Sequence, residues 1–255
     1  LVGSEMCIRD SLNRASRGAV NKGLTGKRAL ITGASGGLGK ELALLLSSAG
    51  CDLHLLGRDC NKLENLVNNI KELYLDLDIK YDSIDFTNTR MTSNFINKLD
   101  DYDILINCAG IFPIKNLCDS TLEDYDQCFN VNVKTPYMLS QAIAAGMKER
   151  SWGRIVNVAS SSAYNGSADT GLYCASKHAL LGLSRSLYQE LRPYGIRVYT
   201  VSPGSIQTEM GATDTRQDFS TFLNPKEVAE YILFIMSSHN ELIAEEIRLN
   251  RVVIR

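Results

Sequence analysis

The 255-residue chain alternates short apolar runs with stretches in which apolar residues return every three or four positions. Runs at Arg28–Thr32, Asp52–Leu56, Ile79–Ile84, Ile104–Asn107, Arg154–Val158, Arg197–Val201 and Ile247–Leu249 have the length and composition of strands. Between them, spacings such as Leu42, Leu45, Leu46 and Ala49 predict helices, two of them long: Leu122–Met147 and Ala168–Arg192. This alternation predicts an α/β fold, a Rossmann-type doubly wound parallel sheet with helices on both faces and ligand bound at the carboxyl ends of the strands. With 44% hydrophobic residues the chain can bury one full core, so residues 22–255 are read as a single domain. Leu1 to Asn21 lacks the periodicity, and its first eleven residues look like translated sequencing adaptor; residues 1–21 are therefore expected to be non-native or outside the fold, with the natural start near Val20 to Leu24.

The first strand runs directly into Gly33-Ala34-Ser35-Gly36-Gly37-Leu38-Gly39 and then into a helix. A helix start offers unpaired N–H groups and partial positive charge, and glycines let backbone approach a pyrophosphate, so strand, turn and helix together predict a dinucleotide site. The glycine spacing differs from the usual G-x-G-x-x-G. In the second long helix Tyr173 and Lys177 stand four residues apart and share a face. An ammonium about 4 Å from a phenol, at an effective dielectric near 20, is worth roughly 4 kcal/mol, enough to lower a pKa of ~10 by about three units. The pair thus reads as a proton-transfer device, against the plainer alternative of two surface residues on a solvated helix.

Net charge is −2 and no block of like charge occurs, which argues against nucleic acid or an anionic membrane as partner. The longest apolar runs, such as Tyr231 to Met236, are too short to span a bilayer. Seven scattered cysteines without a C-x-x-C pair, and three histidines, give no support for a metal site and suggest reduced thiols in a cytoplasm. Cys174, beside Tyr173, is read as a small packing residue rather than a redox switch.

The glycine turn, Asp85 after a strand, Asn107-Cys108-Ala109-Gly110, Asn130-Val131-Asn132, Asn157-Val158-Ala159-Ser160, Tyr173-x-x-x-Lys177 and Pro203-Gly204 with Thr208 occur in this order. In this the chain resembles the short-chain dehydrogenase/reductase family from about Thr25 to its C-terminus. Cys108 stands where that family usually has Asn, and Ala159 where it often has Ser. The resemblance implies hydride transfer between a nicotinamide cofactor and a carbonyl or secondary alcohol. It makes Tyr173 the general acid/base, Lys177 the group that lowers the phenol's pKa and holds the nicotinamide ribose, Ser160 the partner of the substrate oxygen with Ser161 and Ser162 as rivals, and Asn132 the holder of a water linking Lys177 to solvent. It implies cofactor contacts at Gly33, Ser35, Gly36, Gly37, Leu38 and Gly39, at Asp85 and Phe86 beside the adenine, at Asn107, Ala109 and Gly110 in the middle, and at Pro203, Gly204, Ile206 and Thr208 beside the carboxamide.

After the second strand an acidic residue would select NAD, whereas Arg accommodates the 2′-phosphate of NADP. Leu56-Gly57-Arg58-Asp59 has Gly in the usually acidic slot and Arg58 next, so NADP(H) is expected over NAD(H), with Asp59 as the cap of the following helix. The family also implies a homodimer or homotetramer through the long helices, with Met138, Leu180, Leu183 and Leu187 as apolar contacts. Gln207–Leu223 is the expected substrate loop; its Met210-Gly211-Ala212-Thr213-Asp214-Thr215 stretch favours a polar carbonyl such as a sugar or a hydroxy or oxo acid. Reduction of 3-oxoacyl groups on acyl carrier protein is the alternative, although the ending lacks the T-G-Q…D-G-G pattern usual there. A cofactor-binding sensor without turnover is the alternative of another class.

Overall fold

The computed structural model describes residues 23–238 and 243–252. The proposed extension 1–21 lies outside the described residues. Seven parallel strands, β1 (Arg28–Thr32), β2 (Asp52–Gly57), β3 (Ile79–Ser83), β4 (Ile104–Asn107), β5 (Gly153–Val158), β6 (Ile196–Pro203) and β7 (Glu246–Leu249), form one sheet in the order β3-β2-β1-β4-β5-β6-β7. The helices are α1 (Gly37–Ser48), α2 (Cys60–Leu73), α3 (Thr89–Ile96), α4 (Leu122–Phe129), α5 (Thr135–Glu149), α6 (Gly171–Leu191) and α7 (Pro225–Met236).

Alternate strand residues feed two separate cores, as a sheet covered on both faces requires. Ala29, Ile31, Ile104, Ile106, Val156 and Val201 pack with Leu42 and Leu46 of α1 and Ile232 of α7. Leu30, Leu105, Ile155 and Val198 pack instead with Leu139, Ile143 and Met147 of α5 and Leu191 of α6. Burying each such Leu or Ile removes roughly 1.5–3 kcal/mol worth of apolar surface from water, so strand register is fixed from both sides.

All seven predicted strands form, within one or two residues of their expected ends. The predicted helix Leu122–Met147 is two helices fused through a π-helical turn, Asn130–Lys134, that carries Asn132. Such a one-residue insertion leaves the apolar spacing nearly unchanged, so periodicity does not register it, and it is a feature that recurs at functional sites. Of the apolar residues expected to contact a second copy, Leu180 is in the core with Ala159 and Ala163, and Leu183 and Leu187 pack against core clusters. The exposed apolar side chains of this region are Leu117, Leu122, Tyr125 and Tyr137.

Candidate active site

Strand order reverses between β1 and β4, where connections leave in opposite directions and open a crevice at the strands' carboxyl ends. A cleft of ≈ 890 Å³ lies there, within the size range of cofactor and ligand sites. At its floor the chain turns from β1 into α1 with Gly33 at φ +70, and a Cβ there would stand 2.8 Å from the Ala109 backbone. A Cβ on Gly39 would stand 2.2 Å from the Gly33 carbonyl oxygen. The glycines are therefore a packing requirement of the turn itself. Helix α1 has Gly36 at its N-cap position, with no side-chain cap and no acidic residue in its first turn. By contrast, Asp59, Asn88, Thr121 and Asn224 cap α2, α3, α4 and α7. An uncapped N-terminus opening on a cleft is the donor set a pyrophosphate needs, so these residues fit a dinucleotide.

Thr32, which the sequence reading passed over, pins this floor. Its hydroxyl accepts from the Cys108 and Ala109 amides at 3.1 and 3.0 Å, tying the end of β1 to the loop after β4. The only available signal was its place immediately before the first glycine. Gly33, Ser35, Gly36, Gly37, Leu38, Gly39, Arg58, Asp85, Phe86, Ala109, Gly110, Pro203, Gly204, Ile206 and Thr208 all line the cleft, as does Gly57. A Cβ on Gly57 would meet the Ser35 hydroxyl at 2.6 Å, so the glycine packs against the turn, and the slot that would favour NAD carries no acidic side chain. Asp59 caps α2, accepting from the Lys62 amide at 3.0 Å, and Arg58 is exposed at the rim.

Asn107 corrects one expectation. It does not line the cleft but is buried in the sheet, where its amide donates to Asn157 Oδ1 at 2.8 Å. The inward position at the end of β4 faces the next strand, and the cleft wall there is formed by Cys108 and Ala109.

Tyr173 and Lys177 rise from the first turns of α6 into the cleft, opposite Ser160 at the end of β5. Lys177 is buried and donates from Nζ to the Val158 carbonyl at 2.9 Å, while its Nζ lies 5.7 Å from the Tyr173 ring centre. Loss of water lowers the Lys177 pKa from 10.5 to about 8. Burial pushes Tyr173 up to about 12, with the Ser160 hydroxyl's hydrogen bond acting in the lowering direction. Against the expected depression, Lys177 is not among the groups that shift the phenol in this structure, where desolvation dominates. Of the three serines, Ser160 is the one that acts on the phenol's ionisation, and its Oγ is held by the Ser162 amide at 3.1 Å. The Phe112 ring meets Tyr173 edge-on at 4.6 Å.

Asn132 is fully buried and does not reach the cleft. Its Oδ1 accepts from the Ile111 amide at 2.9 Å, and its Nδ2 donates to the Ile111 carbonyl and to Ser176 Oγ, both at 3.0 Å. The π-helical turn aims this amide at α6 and at the loop carrying Phe112. In this structure it positions Ser176, the neighbour of Lys177, and touches neither reacting group.

The loop over residues 207–223 closes the outer end of the cleft. Arg216 binds Asp214 at 2.7 Å and reaches the Ala168 carbonyl and Asp169 across the cleft at 3.3 and 3.6 Å. Glu209 of the same loop bridges to Lys62 of α2 at 2.6 Å. Among the described residues no cluster of His, Cys, Asp or Glu is placed to hold a metal, and no helix is long and apolar enough to cross a membrane.

The chain matches the family model for short chain dehydrogenases over residues 27–218. It is 32% identical over 226 residues to the 3-oxoacyl-[acyl-carrier-protein] reductase FabG of Rickettsia typhi, covering 84% of this chain and 91% of that protein. A metagenomic short-chain oxidoreductase solved with NADP superposes with a TM-score of 0.77 at 27% identity, over 90% of this chain and 99% of that one. A short-chain dehydrogenase from Sphingobium yanoikuyae solved with NADPH gives 0.79 at 26% identity, over 88% and 87%. The protein is an NAD(P)-dependent oxidoreductase, and the chain belongs to the short-chain dehydrogenase/reductase family.

Proposed function

We propose that the protein interconverts a polar carbonyl compound and its secondary alcohol using NADP(H), with Tyr173 as general acid and base. The observation that carries this reading is the convergence of Tyr173, Ser160 and Lys177 on one cleft with the uncapped start of α1. A bound nicotinamide dinucleotide supplies or accepts the hydride. The glycine turn and α1 N–H groups would take its pyrophosphate, Arg58 its 2′-phosphate, and Lys177 the ribose hydroxyls. Pro203, Gly204, Ile206 and Thr208 would border the carboxamide. Tyr173 Oη gives its proton to the nascent alkoxide in reduction and takes it back in oxidation. Ser160 Oγ donates to the same oxygen, stabilising charge as it develops.

NADP over NAD rests on Arg58 at the rim and on a glycine rather than an acid at position 57, and two relatives were solved with NADP(H). Reduction of acyl-carrier-protein-linked 3-oxoacyl groups is the second reading, favoured by the FabG relative. We place the enzyme in a cytoplasm as a homo-oligomer, a reading supported by unpaired cysteines and by exposed Leu122, Tyr125 and Tyr137. A panel of sugars, oxo acids and a 3-oxoacyl thioester, followed by loss of NADPH absorbance with Tyr173→Phe as control, tests it. Turnover by the parent and its loss in the variant are expected. Cofactor binding without turnover of any carbonyl would favour a sensor.

A further inference from the structure

The substrate end of the cleft carries more positive charge than its own carboxylates neutralise. Arg216, Arg248 and Arg251 line it, against Asp214, whose carboxylate is already engaged by Arg216 and by Gln217 at 2.7 Å each. Of the other nearby acids, Glu246 is paired with Arg185, Glu209 with Lys62 and Asp169 with Arg216, while the Asp218 carboxylate accepts from Ser220. Arg251 donates to two neutral acceptors, Gln217 Oε1 and, at 3.0 Å, Thr221 Oγ1, and its guanidinium lies 5.0 Å from the Phe222 ring centre. Arg248 lies 4.4 Å over the Tyr164 ring. Among the described residues neither arginine forms an ion pair with a carboxylate. Two guanidinium groups at one end of a cleft, in a chain of net charge −2, are not a general property of its surface.

Position favours a substrate role over a cofactor role. The glycine turn and Arg58 already provide for the cofactor's phosphates at the other end. Gln217 joins Arg251 to Ser205, whose hydroxyl donates to the same Oε1 at 3.3 Å, and Ser205 follows Gly204 on the cleft wall. The same Gln217 binds Asp214, so Arg251 is held in place by the substrate loop before any ligand arrives. A guanidinium fixed in this way and lacking a counter-ion suits an oxyanion, to which it can offer paired N–H donors.

We propose that Arg248 and Arg251 form an anion subsite, so that the carbonyl compound bound beside Tyr173 carries a carboxylate or phosphate group. This rests on the reading of the cleft as a carbonyl site and narrows it to anionic substrates. The test is calorimetric titration of the NADP⁺-loaded protein with two matched pairs: levulinate against methyl levulinate, and dihydroxyacetone phosphate against dihydroxyacetone. In at least one pair the anion should bind about tenfold or more tightly than its neutral partner, as charge-assisted hydrogen bonds provide. The pair that discriminates identifies the group. Arg251→Gln and Arg248→Gln should each reduce the preference, the double variant should abolish it, and NADP⁺ affinity should be unchanged. Because Arg251 also ties the loop, Arg251→Lys, which keeps the charge, accompanies it and should retain most of the preference.

Equal binding of anion and neutral partner in both pairs, no measurable binding of either anion, or a preference that survives the double variant would overturn the subsite. The two readings fail separately. Arginine-dependent anion binding without NADPH-linked turnover of any carbonyl would refute the reductase and leave the subsite. Turnover of neutral ketones without anion preference would do the reverse.

Discussion

Burial sets Tyr173 and Lys177 against water in opposite senses, the phenol held neutral and the ammonium held at a cost. A Lys177 pKa lowered from 10.5 to about 8 corresponds to about 3 kcal/mol of destabilisation while the side chain is charged. The sign follows from proton uptake: between pH 8 and 10.5 the unfolded chain holds the extra proton, so the cost is full below the folded value, shrinks through this window and is gone above it. Lys177→Met should therefore gain stability over the parent at pH 7, less whatever the lost bond to Val158 contributes, and this advantage should decline toward pH 10. Urea unfolding at several pH values measures it, and a pH-independent difference would contradict it. Tyr173→Phe, which keeps the ring against Phe112 but lacks the proton, should lower kcat by at least about 10²-fold with NADPH binding intact. These two residues were legible because their chemistry depends on one short spacing. Asn107 and Asn132 were legible as motif members but not in role, since what decides it is which neighbour each amide meets, and that neighbour lies on another element.

At the level of elements, the strands could be read because apolar residues dominate most runs and both faces of β1, β2, β4, β5 and β6 are buried, whereas β3 at the sheet edge exposes Lys80 and Asp82 and was legible mainly from its place in the alternation. The π-helical turn could not, since inserting one residue leaves the apolar face in place while redirecting Asn132 toward Ile111 and Ser176. The β1–α1 turn could be read because glycine is demanded there by backbone contact. Gly39→Ala would bring a methyl group to 2.2 Å from the Gly33 carbonyl oxygen, so the turn must open. The expected result is NADPH binding weakened by about tenfold or more, the effect of a distortion costing about 1.4 kcal/mol. Gly26→Ala is the control: its φ is +74 but no atom lies within 4 Å of the added methyl, so it should lose stability without a selective loss of NADPH binding. Equilibrium fluorescence titration of NADPH against both variants separates contact from backbone strain, and equal effects would refute the contact argument.

At the scale of the whole molecule, the cleft draws walls from almost every connection on the carboxyl side of the sheet, and long-range ties already span it. Lys62 on α2 meets Glu209 of the substrate loop, and Arg216 of that loop meets Ala168 and Asp169 ahead of α6. None of these pairings could be read from the chain, because partners such as Lys62 and Glu209 are 147 residues apart and no local pattern joins them. A ligand seated along such a cleft binds the folded state alone and stabilises the domain by mass action, by about 2.7 kcal/mol at a hundredfold excess over its Kd. For a chain of this size that corresponds to a rise in Tm of about 5–10 °C. At equal concentrations NADPH should therefore raise Tm more than NADH does. Arg58→Ala, at the exposed rim and outside the core, should leave the Tm of the protein alone nearly unchanged while weakening NADPH by about tenfold or more. The shift with NADPH should then fall toward the shift with NADH, which itself should barely move. A parent protein stabilised equally by the two cofactors, or an Arg58→Ala variant that loses both shifts together, would mean that the 2′-phosphate is not read at this rim.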